Sequence, residues 1–184
     1  MRLISPRRTA LLAAAAAVTS LAVVPGTASA ALAGPASVVH ARGPLVDLQP
    51  ATDDALDGAN AMVIAVANQH GTLVVLHLSG IDRAAAGRTY GAHVHSGICV
   101  AGDGAAAGPH YNSDVAAGQL PPEISDRTEV WLDFTVTPGG TATALAHVPF
   151  TIASGAAGAV VVHRDATDEQ GLAGPRLACL SVGF

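Results

Sequence analysis

Three histidines close together in the chain are the residues best suited to hold a metal. His93 and His95 are separated by a single valine, and His110 follows Gly108-Pro109. Alternate residues of a β-strand point to the same face, so an extended segment here presents two imidazoles side by side. A turn at Gly-Pro can return His110 to the pair. Imidazole is the usual protein ligand for copper and zinc, so this spacing predicts a centre for one of these metals.

The His-x-His pattern also has a plainer interpretation. A strand can carry two histidines on one face as ordinary polar residues, and the pattern alone leaves both alternatives open. The histidines outside the motifs described here are interpreted as surface or hydrogen-bonded residues: His40, His70, His77 and His147.

Four pieces of the sequence together resemble the copper/zinc superoxide dismutase family. They are Gly-Ala-His-Val-His at 91–95, Gly-Pro-His-Tyr-Asn at 108–112, Val-Val-His at 161–163 and Gly-Pro-Arg-Leu-Ala-Cys at 174–179. The family has matching pieces in the same order: a Gly-Phe-His-Val-His strand, a loop with Gly-Pro-His-Phe-Asn, a Val-Val-His strand and a final Gly-x-Arg-x-Ala-Cys segment. The resemblance extends over residues 37–184. It implies an all-β fold, an eight-stranded Greek-key β-barrel or sandwich.

The resemblance also implies a copper site and a catalytic arginine. His93, His95, His110 and His163 match the family's four copper-binding histidines, each within its own motif. Arg176 matches the arginine at the copper mouth, where a planar and permanently charged group attracts and orients an anion. The implied reaction converts superoxide to dioxygen and hydrogen peroxide as copper alternates between two oxidation states. A surface salt bridge is the alternative role for Arg176.

The family's zinc site has no counterpart in this sequence. The bridging histidine corresponds to His110, yet no histidine lies between His110 and His147. The chain therefore resembles a copper-only branch of the family, and zinc is not expected. Metal-bound histidines normally donate their second N–H to a partner, so another group must orient His110. Glu129 is the first candidate for this role. The equal alternative is that Glu129 is an ordinary exposed residue of a strand. The other carboxylates considered for this role are Asp133, Asp126 and Glu123.

The resemblance alone also implies a role for Asp168. Asp168 lies where the family keeps an aspartate behind the copper ligands, although the loop that contains it is short here. The expected role of Asp168 is therefore to support a ligand without binding the metal.

The first 30 residues have the composition of a secretory signal peptide. They contain three arginines and no acidic residue, then an apolar run over residues 9–24, then Ala28-Ser29-Ala30. A membrane anchor is the alternative, but the run is short and rich in alanine for a span. Cleavage after Ala30 leaves residues 31–184 as one exported domain with no stable membrane anchor. Arg7-Arg8 leaves the export route open between the Sec and twin-arginine systems.

Two cysteines in an exported chain suggest one disulfide, with free thiols or a copper–thiolate pair as the alternative. The resemblance implies a bond between Cys99 and Cys179, although Cys99 lies closer to the histidine pair than the family's loop cysteine does. Closing so long a loop contributes about 4 kcal/mol of stability in a chain-entropy treatment.

The charge balance argues against nucleic acid as a partner. Lysine is absent, and cleavage leaves six of the nine arginines against 14 acidic residues, a net charge of −8 with histidine neutral. Superoxide is the expected small-molecule partner, and assembly is left open between a monomer and a homodimer. The alternative to a copper-dependent superoxide dismutase is a non-catalytic copper-binding or structural domain on the same fold.

Short strands with Gly and Pro between them must position all of these residues. The hydrophobic patterns predict strands within 37–48 around a break at Gly43-Pro44, and over 61–67, 72–78, 90–95, 129–137, 141–148, 159–163 and 177–182.

Overall fold

Two antiparallel four-stranded sheets form the framework of the structure, a computed structural model that describes residues 36–52 and 54–184. The strands are β1 (Ser37–Pro44), β2 (Val46–Asp47), β3 (Asn60–Asn68), β4 (Gly71–Ser79), β5 (Thr89–Tyr90), β6 (Ala92–His95), β7 (Phe134–Thr135), β8 (Thr141–Val148), β9 (Ala159–His163) and β10 (Arg176–Ser181). The first sheet has the order β1-β3-β4-β8, the second has the order β2-β10-β9-β6, and β5 pairs with β7. The fold is therefore an all-β sandwich, as the sequence predicts.

The β3–β4 hairpin shows how the sequence specifies the first sheet. Alternate residues along β3 point into the core, so that Ala61, Val63 and Ala65 are buried while Met62 and Ile64 face outward. Gly71 begins β4 with φ at 122°, and a Cβ atom there would lie 2.0 Å from the carbonyl oxygen of Val148. Only glycine fits this close approach, which seats the hairpin against β8.

The hydrophobic core lies between the two sheets, and the second sheet is buried on its other face as well. Buried side chains from both sheets fill the core: Val63, Val74, Leu76, Val94, Val160 and Val162. On the far face of the second sheet, Ala159, Val161 and Cys179 pack with Leu48 and Ala107. Burial on both faces explains why β9 is continuously apolar until its last residue.

Strands β8 and β9 have the predicted bounds, whereas the strand predicted over 129–137 was wrong in its extent. Val130, Leu132 and Val136 are buried in the predicted alternation, but only Phe134–Thr135 is a strand. Residues 129 and 131 pair through isolated bridges to Asn112 and His93. This segment lies beside an irregular loop and the short strand β6, so no continuous partner is present for a longer ladder.

Helices are short in the described residues. They are α1 (Ser113–Ala116) and two 3₁₀ turns, Arg83–Ala85 and Gly104–Ala107. None of the helices in residues 36–52 and 54–184 has the length and apolar character needed to cross a bilayer. The predicted signal peptide lies outside the described residues.

Candidate metal centre

Strands β6 and β9 bring three histidines to one face of the second sheet. His93 and His95 are fully buried on β6, and His93 pairs with Val161 of the antiparallel neighbour β9. His163 ends β9 two residues after Val161 and so points to the same face. The strand period of two therefore places three imidazoles together.

His110 reaches this face from the long connection after β6, where it forms an isolated bridge with His95. Two glycines allow the connection to fold back tightly. A Cβ atom on Gly97 would lie 2.2 Å from the carbonyl oxygen of Ala106, and Gly108 has φ at 68°. Larger residues at these positions would push the loop outward and move His110 away from the other three histidines.

The four histidines form one cluster. One nitrogen from each lies within 4.8 Å of the nitrogens of the others. The Nε2 atoms of His95 and His163 are 3.2 Å apart, and the ring centres of His93 and His110 are 4.0 Å apart. The side chain of His110 keeps 18% of its exposure, so it borders solvent while the other three are buried.

Backbone carbonyls determine the tautomers of two of these imidazoles. The Nδ1 atom of His95 lies 3.0 Å from the carbonyl oxygen of Gly108, and that of His163 lies 3.1 Å from the carbonyl oxygen of Gly174. A carbonyl can only accept, so each Nδ1 carries the proton. Each Nε2 is then left with a lone pair that is free for a metal.

A buried carboxylate orients His110. Oε2 of Glu129 accepts from His110 Nδ1 at 2.8 Å and from Trp131 Nε1 at 3.0 Å, and Asn112 Nδ2 donates to Oε1 at 3.3 Å. Burial raises the pKa of Glu129, but the hydrogen bonds from His110 and Trp131 outweigh it and bring the pKa below its usual value. Glu129 therefore stays ionised and holds the proton on Nδ1 of His110.

His93 is held through a threonine. Its Nε2 lies 2.8 Å from Oγ1 of Thr167, whose hydroxyl donates to Oδ1 of Asp133 at 2.5 Å. Because that proton points to the carboxylate, the threonine oxygen accepts from His93 Nε2. The remaining nitrogen, Nδ1, is buried and has no hydrogen-bond partner in the described part of the chain. A buried lone pair without a donor is costly, and a bound metal ion would satisfy it.

Burial keeps His93, His95 and His163 neutral at pH 7. It is the main cause that lowers the pKa of His93 to about 2, of His95 to about 3 and of His163 to about 4, with the neighbouring histidines adding to it. Neutral imidazole is the form that binds a metal. Four imidazoles with one nitrogen each in a common cluster are compatible with copper, and the residues present fit this ion.

Arg176 lies at the edge of the cluster. It is opposite His163 in the β9–β10 register, and its Nη1 donates to the carbonyl oxygen of Gly104 at 2.6 Å. Its charge contributes to the lowered pKa values of His95 and His163. The guanidinium is half-buried beside the histidines. Arg164, by contrast, is exposed and paired with Asp165 at 3.0 Å.

The hydrogen bonds of Asp168 lie within its own turn. Its carboxylate is exposed and accepts from the backbone N–H groups of Gln170 and Leu172, at 2.9 and 2.8 Å, so it closes its own turn. The contact expected of it is made by the preceding residue, Thr167, together with Asp133. The sequence holds no local signal for Thr167, because the residue meets His93 only when the loop folds back over β6.

The disulfide between Cys99 and Cys179 is present, with a Cα–Cα distance of 5.9 Å. It joins the connection after β6 to β10, the strand that begins at Arg176. The bond therefore ties the loop that carries His110 to the sheet that carries the other three histidines. A structural disulfide is compatible with a location outside the cytoplasm.

No protein-family model matches the chain, and no curated protein matches it either. Among solved structures, one described as the clock protein EA4 is similar to this chain. The match has a TM-score of 0.51 at 15% sequence identity and covers 79% of this chain and 92% of that chain. At this identity the likeness concerns the fold alone.

Proposed function

We propose that this protein is an exported superoxide dismutase that uses copper alone, on a Greek-key fold of the copper/zinc superoxide dismutase type. The observation that carries the proposal is the set of four histidines. Each imidazole has one nitrogen engaged by a carbonyl, a carboxylate or a hydroxyl, and its other nitrogen lies in the cluster. Such paired outer contacts are typical of metal-binding histidines and exceed what a polar strand face requires.

The ligands in this proposal are His93 through Nδ1 and His95, His110 and His163 through Nε2. When bound, copper supplies a one-electron couple that accepts an electron from one superoxide and returns it to another. Imidazole ligands suit both oxidation states. Glu129 takes the place that a second metal would occupy beside His110, because it holds the proton on Nδ1 and fixes the ring.

Arg176 is the residue proposed to receive the anion. Its guanidinium lies beside His163 and His95 in a chain whose net charge is −5 at pH 7. One of its nitrogens is engaged by Gly104, which orients the group and leaves other N–H donors for superoxide. Arg164 adds little attraction because Asp165 neutralises it.

Superoxide consumption by the copper-loaded protein tests this function. We expect the parent to consume superoxide catalytically and His95→Ala to lose activity together with copper, because the variant removes a buried ligand nitrogen. His147→Ala, which changes an exposed histidine on β8, serves as the control. A parent that binds copper and leaves superoxide untouched would instead be a non-catalytic copper-binding domain.

A further inference from the structure

A cleft beside the histidine cluster is lined mostly by apolar residues. Its volume is about 460 Å³, which is a size typical of sites for small molecules. The apolar part of the lining comes from three separate segments of the chain and consists of Pro109, Val115, Pro122, Ile124, Gly171 and Leu172. The polar part consists of His110, Asn112, Glu129 and Gln170. The cleft therefore reaches His110, the clustered histidine that borders solvent.

The packing at Gly171 shapes one wall of the cleft. Gly171 is buried with φ at 77°, and a Cβ atom there would lie 2.6 Å from Cγ2 of Ile124 and 3.4 Å from Cζ2 of Trp131. Only glycine fits this close approach, which brings the loop that carries Leu172 against Ile124. Leu172 remains 66% exposed and Ile124 42% exposed. Apolar side chains from two distant segments therefore line the same hollow and stay open to solvent.

The polar groups at the base of the cleft already have partners within the protein. Glu129 accepts hydrogen bonds from His110 and from Trp131. The side-chain nitrogen of Asn112 donates to Glu129 and to the carbonyl oxygen of Glu123. The side-chain oxygen of Asn112 accepts two backbone N–H groups at the start of α1. Because these groups are engaged, an occupant need not supply a charge or a hydrogen bond to them.

The residues next to the cleft carry negative charge. Asp114, Glu123 and Glu169 each adjoin a lining residue in the sequence, whereas no arginine adjoins one. The carboxylate of Asp114 accepts from the backbone N–H of Glu123 at 2.9 Å, which keeps these two residues together. Carboxylates at this distance repel an anion that enters the cleft. The surroundings therefore select against an anionic occupant.

We propose that this cleft binds a small uncharged aromatic molecule, which lies against the ring of His110. A flat ring packs offset or edge-on against another ring such as imidazole, and it removes a large apolar area from water. Such an occupant covers the exposed aliphatic side chains of the cleft and brings no charge among the nearby carboxylates. The binding requires no metal, so the proposal is independent of the proposed function.

Fluorescence titration of the purified protein with N-phenylnaphthylamine tests this site. This uncharged aromatic probe becomes brighter in apolar surroundings, and anilinonaphthalene sulfonate has the same ring system with a negative charge. We expect about one uncharged probe molecule per chain with a Kd on the order of 10–100 μM. The sulfonate should bind at least about tenfold more weakly, because the carboxylates beside the cleft repel it.

A charge placed in the cleft wall locates the bound probe. We expect Leu172→Glu to bind the uncharged probe about tenfold more weakly or less, because a carboxylate replaces an apolar contact. Leu145→Glu is the matched control. Leu145 is 64% exposed, close to the 66% of Leu172, but it lies on β8 and does not line the cleft. This control should bind the probe as the parent does.

Each other outcome overturns the proposal. A parent that does not bind the uncharged probe has no such site, and equal affinity for the two probes would show that the carboxylates do not select the occupant. Unchanged binding in Leu172→Glu, or an equal loss in Leu145→Glu, would place the probe elsewhere. Circular dichroism checks the fold of each variant. Should Leu172→Glu fail to fold, Val115→Glu changes another exposed residue of the lining and gives the same test.

Discussion

At the scale of single residues, the arrangement depends on what holds the far nitrogen of each imidazole. His95 and His163 are held by carbonyl oxygens, His110 by Glu129, and His93 by Thr167. These contacts choose the tautomer and thereby decide which nitrogen faces the cluster. The proton positions follow from acceptors that can only accept, except at Thr167, where the hydroxyl is itself directed by Asp133.

The link through Thr167 can be tested by removing its hydroxyl. We expect Thr167→Val to bind copper about 10- to 100-fold more weakly, because His93 loses the acceptor for its Nε2 proton. Thr167→Ser keeps the hydroxyl and should restore the affinity. Competition with a chelator measures copper binding, and Thr151→Val, at an exposed position, controls for the loss of a hydroxyl. Unchanged affinity in Thr167→Val would show that this hydrogen bond does not support the ligand.

Arg176 supports a second prediction, on turnover. We expect Arg176→Ala to keep its copper and to consume superoxide about ten- to a hundredfold more slowly at low salt, since one charged donor contributes about 1–3 kcal/mol. The difference should shrink at high salt, where the charge is screened. The comparison uses stopped-flow superoxide decay with Arg127→Ala, which changes an exposed arginine elsewhere. Equal rates for Arg176→Ala and the parent at low salt would remove the arginine from the catalytic role.

Most of the candidate site could be anticipated from local sequence, and the rest could not. The sequence indicates the four histidines through their motifs, and it indicates Glu129 through its position near the place of a missing zinc ligand. The role of Asp168 as a support for a ligand is expected only from its position along the chain. The structure gives that contact to Thr167 and Asp133, which are 34 residues apart and meet only in the folded protein.

At the scale of elements, alternation predicted strands well where a long partner exists. Strand β8 pairs with β4 over its whole length, and its predicted bounds are the observed ones. The segment 129–137 alternates just as clearly, yet most of it lies beside a loop and is not a strand. Periodicity reports which side chains are buried, whereas a ladder also requires a neighbour that sequence periodicity does not reveal.

The disulfide is the element-scale feature with the most direct effect on stability. Cys99 and Cys179 are 80 residues apart in sequence, so we expect the double variant Cys99→Ser/Cys179→Ser to lose about 4 kcal/mol of unfolding free energy. The unfolded chain gains the conformations that the bond had excluded. Urea denaturation of the metal-free protein measures the loss, and reduction of the parent should reproduce it. An unchanged midpoint would show that packing alone holds the loop.

At the scale of the whole molecule, the net negative charge repels the proposed anionic substrate, and Arg176 attracts it. The net charge of −5 repels an anion, and Arg176 is the cation that lies beside the histidine cluster in the described residues. Three of the four clustered histidines lie on strands of the second sheet, and the first sheet carries none of the proposed ligands.

Metal content tests the central claim most directly. The protein is purified from a host that exports it with both copper and zinc supplied, dialysed against a weak chelator and analysed for both metals. The parent should retain about one copper per chain and no zinc, and His163→Ala should lose the copper, because the four imidazoles act as one donor set. Stoichiometric zinc beside copper in the parent, or full copper retention in His163→Ala, would contradict the account.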